Sequence, residues 1–234
     1  MSGGAAKRTP CHAARRRLLA GLALLPLAGC TKAQEPAQKQ REFAPKAKGS
    51  RTGLVELITL DPAIRTDIRY ATPHNFTGHI LYKQPRAFLQ AVAAQALLRV
   101  LARLKPQGFG LTIYDGYRPF SVTRYMWQVT PKAKRGYVAN PKRGSRHNRG
   151  CAVDLTLHDL KTGRMAAMPS AYDEFSPRAH QAYLGASPTA IANRAVLRDA
   201  MQAEGYYAAS NEWWHFDYKD WADYPILDVP FEAL

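Results

Sequence analysis

Three cysteines cannot staple this 234-residue chain. Cys11 and Cys30 lie close to the N-terminus and leave Cys151 alone in the body, so no intramolecular disulfide framework is available even in an oxidising compartment. Acidic residues are also scarce: 18 Asp and Glu stand against 33 Lys and Arg, for a formal charge of +15. Such an excess favours anionic partners. No apolar run reaches the roughly 20 residues that a bilayer-spanning helix needs; Leu18 to Leu27 falls well short. The helical zinc-protease motif H-E-x-x-H is absent, and no internal repeat is visible.

What is present at the N-terminus reads as an address. Arg15, Arg16 and Arg17 precede the short apolar run, and small residues follow it, the layout of a cleaved export signal over residues 1–29. Leu27-Ala28-Gly29-Cys30 resembles a bacterial lipobox, in which Cys30 is lipidated and becomes the new N-terminus. A cytosolic chain with a chance apolar start is the alternative, and the arginines are only a loose twin-arginine match. Removing residues 1–29 takes away Lys7, Arg8, Arg15, Arg16 and Arg17 and no acid, lowering the formal charge from +15 to +10. The expectation is a lipid-anchored, periplasm-facing protein of the bacterial envelope. Anionic envelope polymers or lipid headgroups are its expected contacts, and nucleic acid is not. Residues 30–50, the lipidated cysteine and a polar stretch without apolar periodicity, read as a flexible tether. Residues 51–234 are enough for one domain with its own core.

Within that domain, LVELITL at 54–60 predicts a strand and the segment 68–82 a loop punctuated by Pro73, Asn75 and Gly78. Apolar residues recur at helical spacing from Arg86 to Leu104, with Leu89, Val92, Ala93, Ala96, Leu97, Val100 and Leu101 among them, until Pro106 and Gly108. A strand over 109–116 and a helix from Pro119 through Trp127 follow. The stretch 130–149 is a basic loop whose charges mostly solvate a surface; a strand at 151–157 follows it. Ser187-Pro188 opens a helix with Ile191, Ala195 and Met201 facing inward, and YYAASNEWWHFDY is an aromatic, strand-like close. Strands and helices mix without a βαβ rhythm. The expected fold class is α+β: a single domain with a central, mainly antiparallel sheet flanked by helices and a metal site in a cleft on the sheet.

SRHNRGCAVDLTL, at 145–157, carries the first chemical signal. In a strand, Cys151, Val153, Leu155 and Leu157 point one way and Ala152, Asp154 and Thr156 the other. The apolar set suits a core, which turns Asp154 toward a cleft. An unpaired carboxylate within a buried strand is costly. Gly150 offers the backbone freedom to swing the ring of His147 back toward Asp154. A loop histidine is more often plain surface, however. Near the C-terminus stand Glu212 and His215, three residues apart. They would face opposite sides of a regular strand, so a turn or bulge must unite them; a salt bridge framing the packed Trp213, Trp214 and Phe216 is the plain alternative. Zinc enzymes take three protein ligands and leave one position open. His147, Asp154 and His215 supply two imidazoles and a carboxylate, with Glu212 free as a general base. Cys151 is turned away from Asp154 and reads as a small core residue. His74, His79, His158 and His180 have no comparable framing.

The combination Ser145-x-His147-x-x-Gly150-x-Ala152-x-Asp154 with Glu212-x-Trp214-His215 resembles the zinc D-alanyl-D-alanine dipeptidases. So do Asp67 to Thr72 with Asn75 to Gly78, the segment Tyr114-Asp115-Gly116-Tyr117-Arg118-Pro119, and Tyr172-Asp173-Glu174-Phe175; together they span roughly 54–230. The resemblance implies one zinc ion per chain on His147, Asp154 and His215, with Glu212 as catalytic base and Arg118 stabilising the transition state. It further implies that Asp173 receives the ammonium of D-Ala-D-Ala or a related small D-peptide, that Ser145 lines that pocket, and that Asp115 supports the arginine loop. A longer peptide would leave the buried Asp173 unpaired, a physical route to dipeptide selectivity. Two other readings remain: a zinc D,D-carboxypeptidase acting on longer muropeptides, and a non-catalytic, basic, envelope-binding lipoprotein.

Overall fold

A computed structural model describes residues 52–234. The export signal expected over residues 1–29, the expected lipidation site Cys30 and the expected tether to residue 50 lie outside the described residues. In chain order the described residues form β1 (Leu54–Glu56), β2 (Ile64–Thr66), β3 (Phe88–Gln90), α1 (Ala91–Leu104), β4 (Phe109–Asp115), α2 (Phe120–Val129), β5 (Ala152–Asp159), α3 (Pro188–Ala203), β6 (Tyr206–Ala208) and β7 (His215–Tyr218).

The sheet has the strand order β2-β4-β5-β7-β6; β2 pairs with β4 in parallel and every other pair is antiparallel. A two-stranded β1-β3 ribbon accompanies it. Alternation in β5 behaves as its sequence predicts. Val153, Leu155 and Leu157 join the core with Leu111 and Ile113 of β4 and Leu97, Val100, Leu101 and Leu104 of α1. Each fully buried aliphatic side chain of this kind contributes about 1.5–3 kcal/mol. Helices α1 and α3 pack on each other and on these strands. Over the other face lie loop residues: Tyr172 stacks on Tyr114 with centroids 4.4 Å apart, and Tyr114 Oη donates to Met165 Sδ at 3.5 Å.

Several element boundaries differ from the sequence expectation. The strand expected over 54–60 stops at Glu56, and Leu57–Thr59 turn as a 3-10 helix with Leu57 buried. The helix expected from Arg86 begins at Ala91, because Phe88–Gln90 pair with β1 instead. Val92, expected inward, is 40% exposed. In α3 the N-cap holds, Ser187 Oγ accepting from the Ala190 amide at 3.2 Å ahead of Pro188. Its inward face is Ala190, Arg194, Leu197, Ala200 and Met201, whereas Ile191 and Ala195 are half-buried. The aromatic close is a hairpin, β6 and β7, with Glu212 to Trp214 in its turn. Cys151 is a buried free thiol, pushed up to about 12 by burial, and packs in the core.

Candidate metal centre

Register brings the chemistry together. Across the sheet, Asp115 of β4 stands opposite Asp154 of β5, after a shift in the ladder between Ile113 and Asp115. Asp154 in turn stands opposite His215 of β7. His147 arrives from the turn ahead of β5, which Gly150 ends in the left-handed region at φ 67. The backbone favours glycine there, and a Cβ would lie 2.4 Å from Leu54 Cδ2, so that side chain would have to shift. The turn needed between Glu212 and His215 is also present, the His215 amide donating to the Glu212 carbonyl at 3.3 Å.

One ligand atom each from His147, Asp154 and His215 lies within 4.8 Å of the others. His147 Nε2 is 3.2 Å from His215 Nδ1 and 3.4 Å from Asp154 Oδ1, and His215 Nδ1 is 2.9 Å from Asp154 Oδ1. Three zinc ligands at about 2.0–2.2 Å on tetrahedral corners lie roughly 3.3–3.5 Å apart. The remaining atoms of the three side chains are already committed. His147 Nδ1 donates to the Gly116 carbonyl at 2.7 Å, which frees Nε2 as a lone pair. His215 Nε2 donates to Asp217 Oδ1 at 3.0 Å and frees Nδ1. Tyr172 Oη donates to Asp154 Oδ2 at 3.0 Å and leaves Oδ1. Three lone-pair atoms facing one another repel unless a cation or proton lies between them, and two imidazoles with a carboxylate suit zinc. Burial raises Asp154, but His147 and His215 outweigh it and hold the carboxyl well below the usual range. Burial depresses His215, but the Asp154 and Asp217 carboxylates outweigh it and hold the ring well above its ordinary value.

Around this cluster is a cavity of about 350 Å³, lined among others by Arg118, Ser145, Asp173 and Glu212. Burial pushes the Glu212 carboxyl up to about 7, suited to accepting a proton near neutrality, and its Oε2 is 4.0 Å from His215 Nδ1. Arg118 is buried and aimed by Asp115, whose Oδ2 accepts from Nε at 2.9 Å and Nη2 at 2.7 Å. Asp115 Oδ1 is held in turn by Tyr82 Oη and the Gly116 amide. Arg118 Nη2 reaches within 3.8 Å of Asp154 Oδ2. Asp173 Oδ1 accepts from Tyr70 Oη at 3.0 Å, while its Oδ2 is buried without a partner among the described residues. Among the described residues it is the non-glycine residue at positive φ, 60°. An orphaned carboxylate oxygen in a cleft can accept from a ligand that enters it. Ser145 Oγ accepts from the His147 amide at 3.2 Å, tying it to the turn that carries His147.

All seven residues predicted for the site within the described chain therefore converge on one cavity. Sequence reasoning gave no role to Asp217, Asn148 or Tyr172, the last named there only as part of a motif. Asp217 was legible in principle, since His215-x-Asp217 on a strand share a face. Asn148 ties the ligand turn to the arginine loop, donating to the Arg118 carbonyl and Thr123 Oγ1 at 2.8 Å and accepting from the Ser145 amide. Nothing in its sequence context marks it. Of the basic loop, Lys132, Lys134, Lys142, Arg143 and Arg146 are exposed as expected. Arg135 and Arg149 are half-buried over Trp127 and Trp221. His74 and His79 are exposed, His158 is buried against Thr112 Oγ1 and His180 meets Tyr137 Oη, all outside the cluster.

A three-ligand cluster with a carboxyl and a guanidinium beside it is the layout of a single-metal hydrolase. The D-ala-D-ala dipeptidase family of Peptidase_M15 matches residues 50–232. The chain is 36% identical over 183 residues to the D-alanyl-D-alanine dipeptidase of Escherichia coli, covering 78% of this chain and 93% of that one. It is 35% identical over 201 residues to the enzyme of that name from Enterococcus faecium, covering 74% and 98%. With the Streptomyces coelicolor enzyme it shares 36% over 190 residues, covering 70% and 93%. A solved vancomycin-resistance D,D-dipeptidase, VanXYg, superposes with a TM-score of 0.37 at 19% identity, over 58% of this chain and 53% of that one. The chain belongs to the D-Ala-D-Ala dipeptidase family and is a zinc metallopeptidase.

Proposed function

We propose that this protein hydrolyses D-Ala-D-Ala to two D-alanines in the turnover of cell-wall peptides, with His147, Asp154 and His215 holding zinc. The observation that carries the assignment is the convergence of those three ligand atoms with Glu212, Arg118 and the unpartnered Asp173 Oδ2 around one cavity. Zinc, when bound, supplies the Lewis acidity that makes water a nucleophile near neutral pH. Glu212 takes the proton of the attacking water at a carboxylate oxygen and returns one to the departing amine nitrogen. Arg118, always cationic and already aimed by Asp115, donates to the scissile carbonyl oxygen as it gains negative charge; a comparable donor is worth about 3–4 kcal/mol. Asp173 Oδ2 accepts from the substrate ammonium. Tyr70 and the local backbone hold Asp173 in place, and Ser145 shapes the same pocket through the His147 turn.

Residues 1–29 act in this reading as a lipoprotein export signal, Cys30 as the lipidation site and residues 30–50 as a tether that leaves the 51–234 domain facing the periplasm. The basic n-region, the short apolar run and Leu27-Ala28-Gly29-Cys30 support it. No helix among the described residues is long and apolar enough to cross a membrane. The +10 balance after removal of the signal also suits contact with anionic envelope polymers. A protein so located would scavenge D-Ala-D-Ala outside the cytoplasm and would not drain a cytoplasmic precursor pool.

The deciding experiment pairs zinc quantification with a D-alanine release assay on free D-Ala-D-Ala and on a muropeptide pentapeptide. Stoichiometric zinc with faster cleavage of the dipeptide is expected. Faster cleavage of the pentapeptide would reassign the chain as a D,D-carboxypeptidase, and binding without cleavage of either would make it an envelope-binding lipoprotein.

A further inference from the structure

The functional assignment leaves one end of the substrate without a partner. A free dipeptide is a zwitterion; Asp173 meets its ammonium, and its α-carboxylate needs a cation. Resting on the dipeptidase reading, we propose that Arg146 receives that carboxylate and so sets the enzyme's preference for a free C-terminal acid.

The topology gives the direction. Asp173 belongs to the β4 side of the sheet: Tyr70 bonds it, and the neighbouring Tyr172 stacks on Tyr114 of β4. The ligand row then runs from Asp154 on β5 to His215 on β7. A dipeptide with its ammonium on Asp173 and its amide carbonyl over the ligand atoms directs its other end toward β7. Arg146 stands there, its Nε 3.7 Å from Asp217 Oδ2, and it lines the cavity.

Arg146 is also held ready. Its carbonyl accepts from the Cys151 amide at 3.1 Å, and its guanidinium lies over the Trp221 ring, 4.6 Å from the centroid. The contact with Asp217 is long, the arginine side chain is 48% exposed, and Nη1 and Nη2 hold no hydrogen bond among the described residues. Two of its cationic neighbours are committed elsewhere. Arg149 shares Trp221 but donates to the Tyr224 carbonyl, and Arg135 donates to Thr130 while covering Trp127. Arg143 lines the same cavity, exposed and without an ion pair among the described residues, and adds to the positive potential. Asp217 offsets part of that potential, but its Oδ1 is engaged by His215 Nε2. A long peptide also ends in a carboxylate, so Arg146 recognises the C-terminal residue while Asp173 recognises the free N-terminus; together the two ends define a dipeptide.

The test measures binding of D-Ala-D-Ala and of its C-terminal amide to the full-length, zinc-loaded Glu212→Gln protein, with and without Arg146→Gln. With Arg146 present the acid should bind roughly 10- to 100-fold more tightly than the amide, as expected for a charge-assisted hydrogen bond. In Arg146→Gln the ratio should collapse toward one through weaker acid binding, with amide affinity and zinc content unchanged, and Arg146→Lys should restore part of it. A preference for the acid that survives in Arg146→Gln overturns the proposal. Equal weakening of acid and amide, or loss of zinc, overturns it in favour of a purely structural role through Asp217. Failure of either ligand to bind while Arg146 is present overturns it as well. D-alanine release by the unsubstituted protein is read separately: its absence sinks the catalytic reading, whereas the acid-to-amide ratio judges Arg146 alone.

Discussion

Asp173→Asn should move two quantities in opposite directions. Asp173 Oδ2 is buried without a partner among the described residues, and burial, with Asp154 and Glu212 nearby, pushes its carboxyl well above the ordinary range. A carboxyl whose folded pKa is raised contributes stability that is fully present below the unfolded value, about 4, and is lost as pH rises through the folded pKa. Asn matches its shape, keeps an acceptor for Tyr70 Oη and tolerates the positive φ of 60°, so the backbone has no reason to move. The variant lacks the ionisation cost. It should melt above the parent at neutral pH, and the gap should close toward about pH 4. Catalysis should go the other way. Losing the charge-assisted bond to the substrate ammonium, worth about 1.5–3 kcal/mol, lowers kcat/KM for D-Ala-D-Ala roughly 10- to 150-fold. N-acetyl-D-Ala-D-Ala carries no ammonium, and its slower cleavage should be unchanged or improved. The assay is D-alanine release from both substrates, with thermal melts from pH 4 to 8. Equal losses on the two substrates would refute the ammonium role, and a lower melting temperature at every pH would refute the burial argument.

Glu212→Gln should keep stoichiometric zinc and lose about 10²- to 10⁴-fold in turnover, the usual worth of a general base; near-normal D-alanine release would remove Glu212 from that role. His215→Ala should abolish stoichiometric zinc, read by metal analysis of the dialysed protein, and a full metal complement would contradict its place as a ligand. Asp217→Ala removes the acceptor that frees His215 Nδ1, so zinc affinity should fall about 10- to 100-fold in chelator competition. An unchanged affinity would mean that the strand alone orients the ring.

Much of the centre was legible before any coordinates. Period-two alternation turned Asp154 away from Val153 and Leu155, and Gly150 marked the bend that carries His147. The three-residue spacing of Glu212 and His215 demanded the turn that the hairpin supplies. Less legible was everything that depends on a partner distant in sequence. Phe88–Gln90 continue a helical apolar pattern, yet pairing with β1 claims them as strand. Val92 faces solvent although periodicity turned it inward, because α1 presents Ala93, Ala96 and Leu97 to the sheet.

The linear order of residues determined which side chains could do chemistry here and, through local periodicity, which way each one points from its own element. Only the pairing of β4, β5 and β7 decided that Asp115, Asp154 and His215 stand in one row, and only the packed loops brought Tyr172 to Asp154 and Asn148 to the Arg118 carbonyl. Local patterns follow from steric and solvation preferences of neighbouring residues. Convergence follows from strand register and long-range burial, which emerge when the whole chain closes on its core.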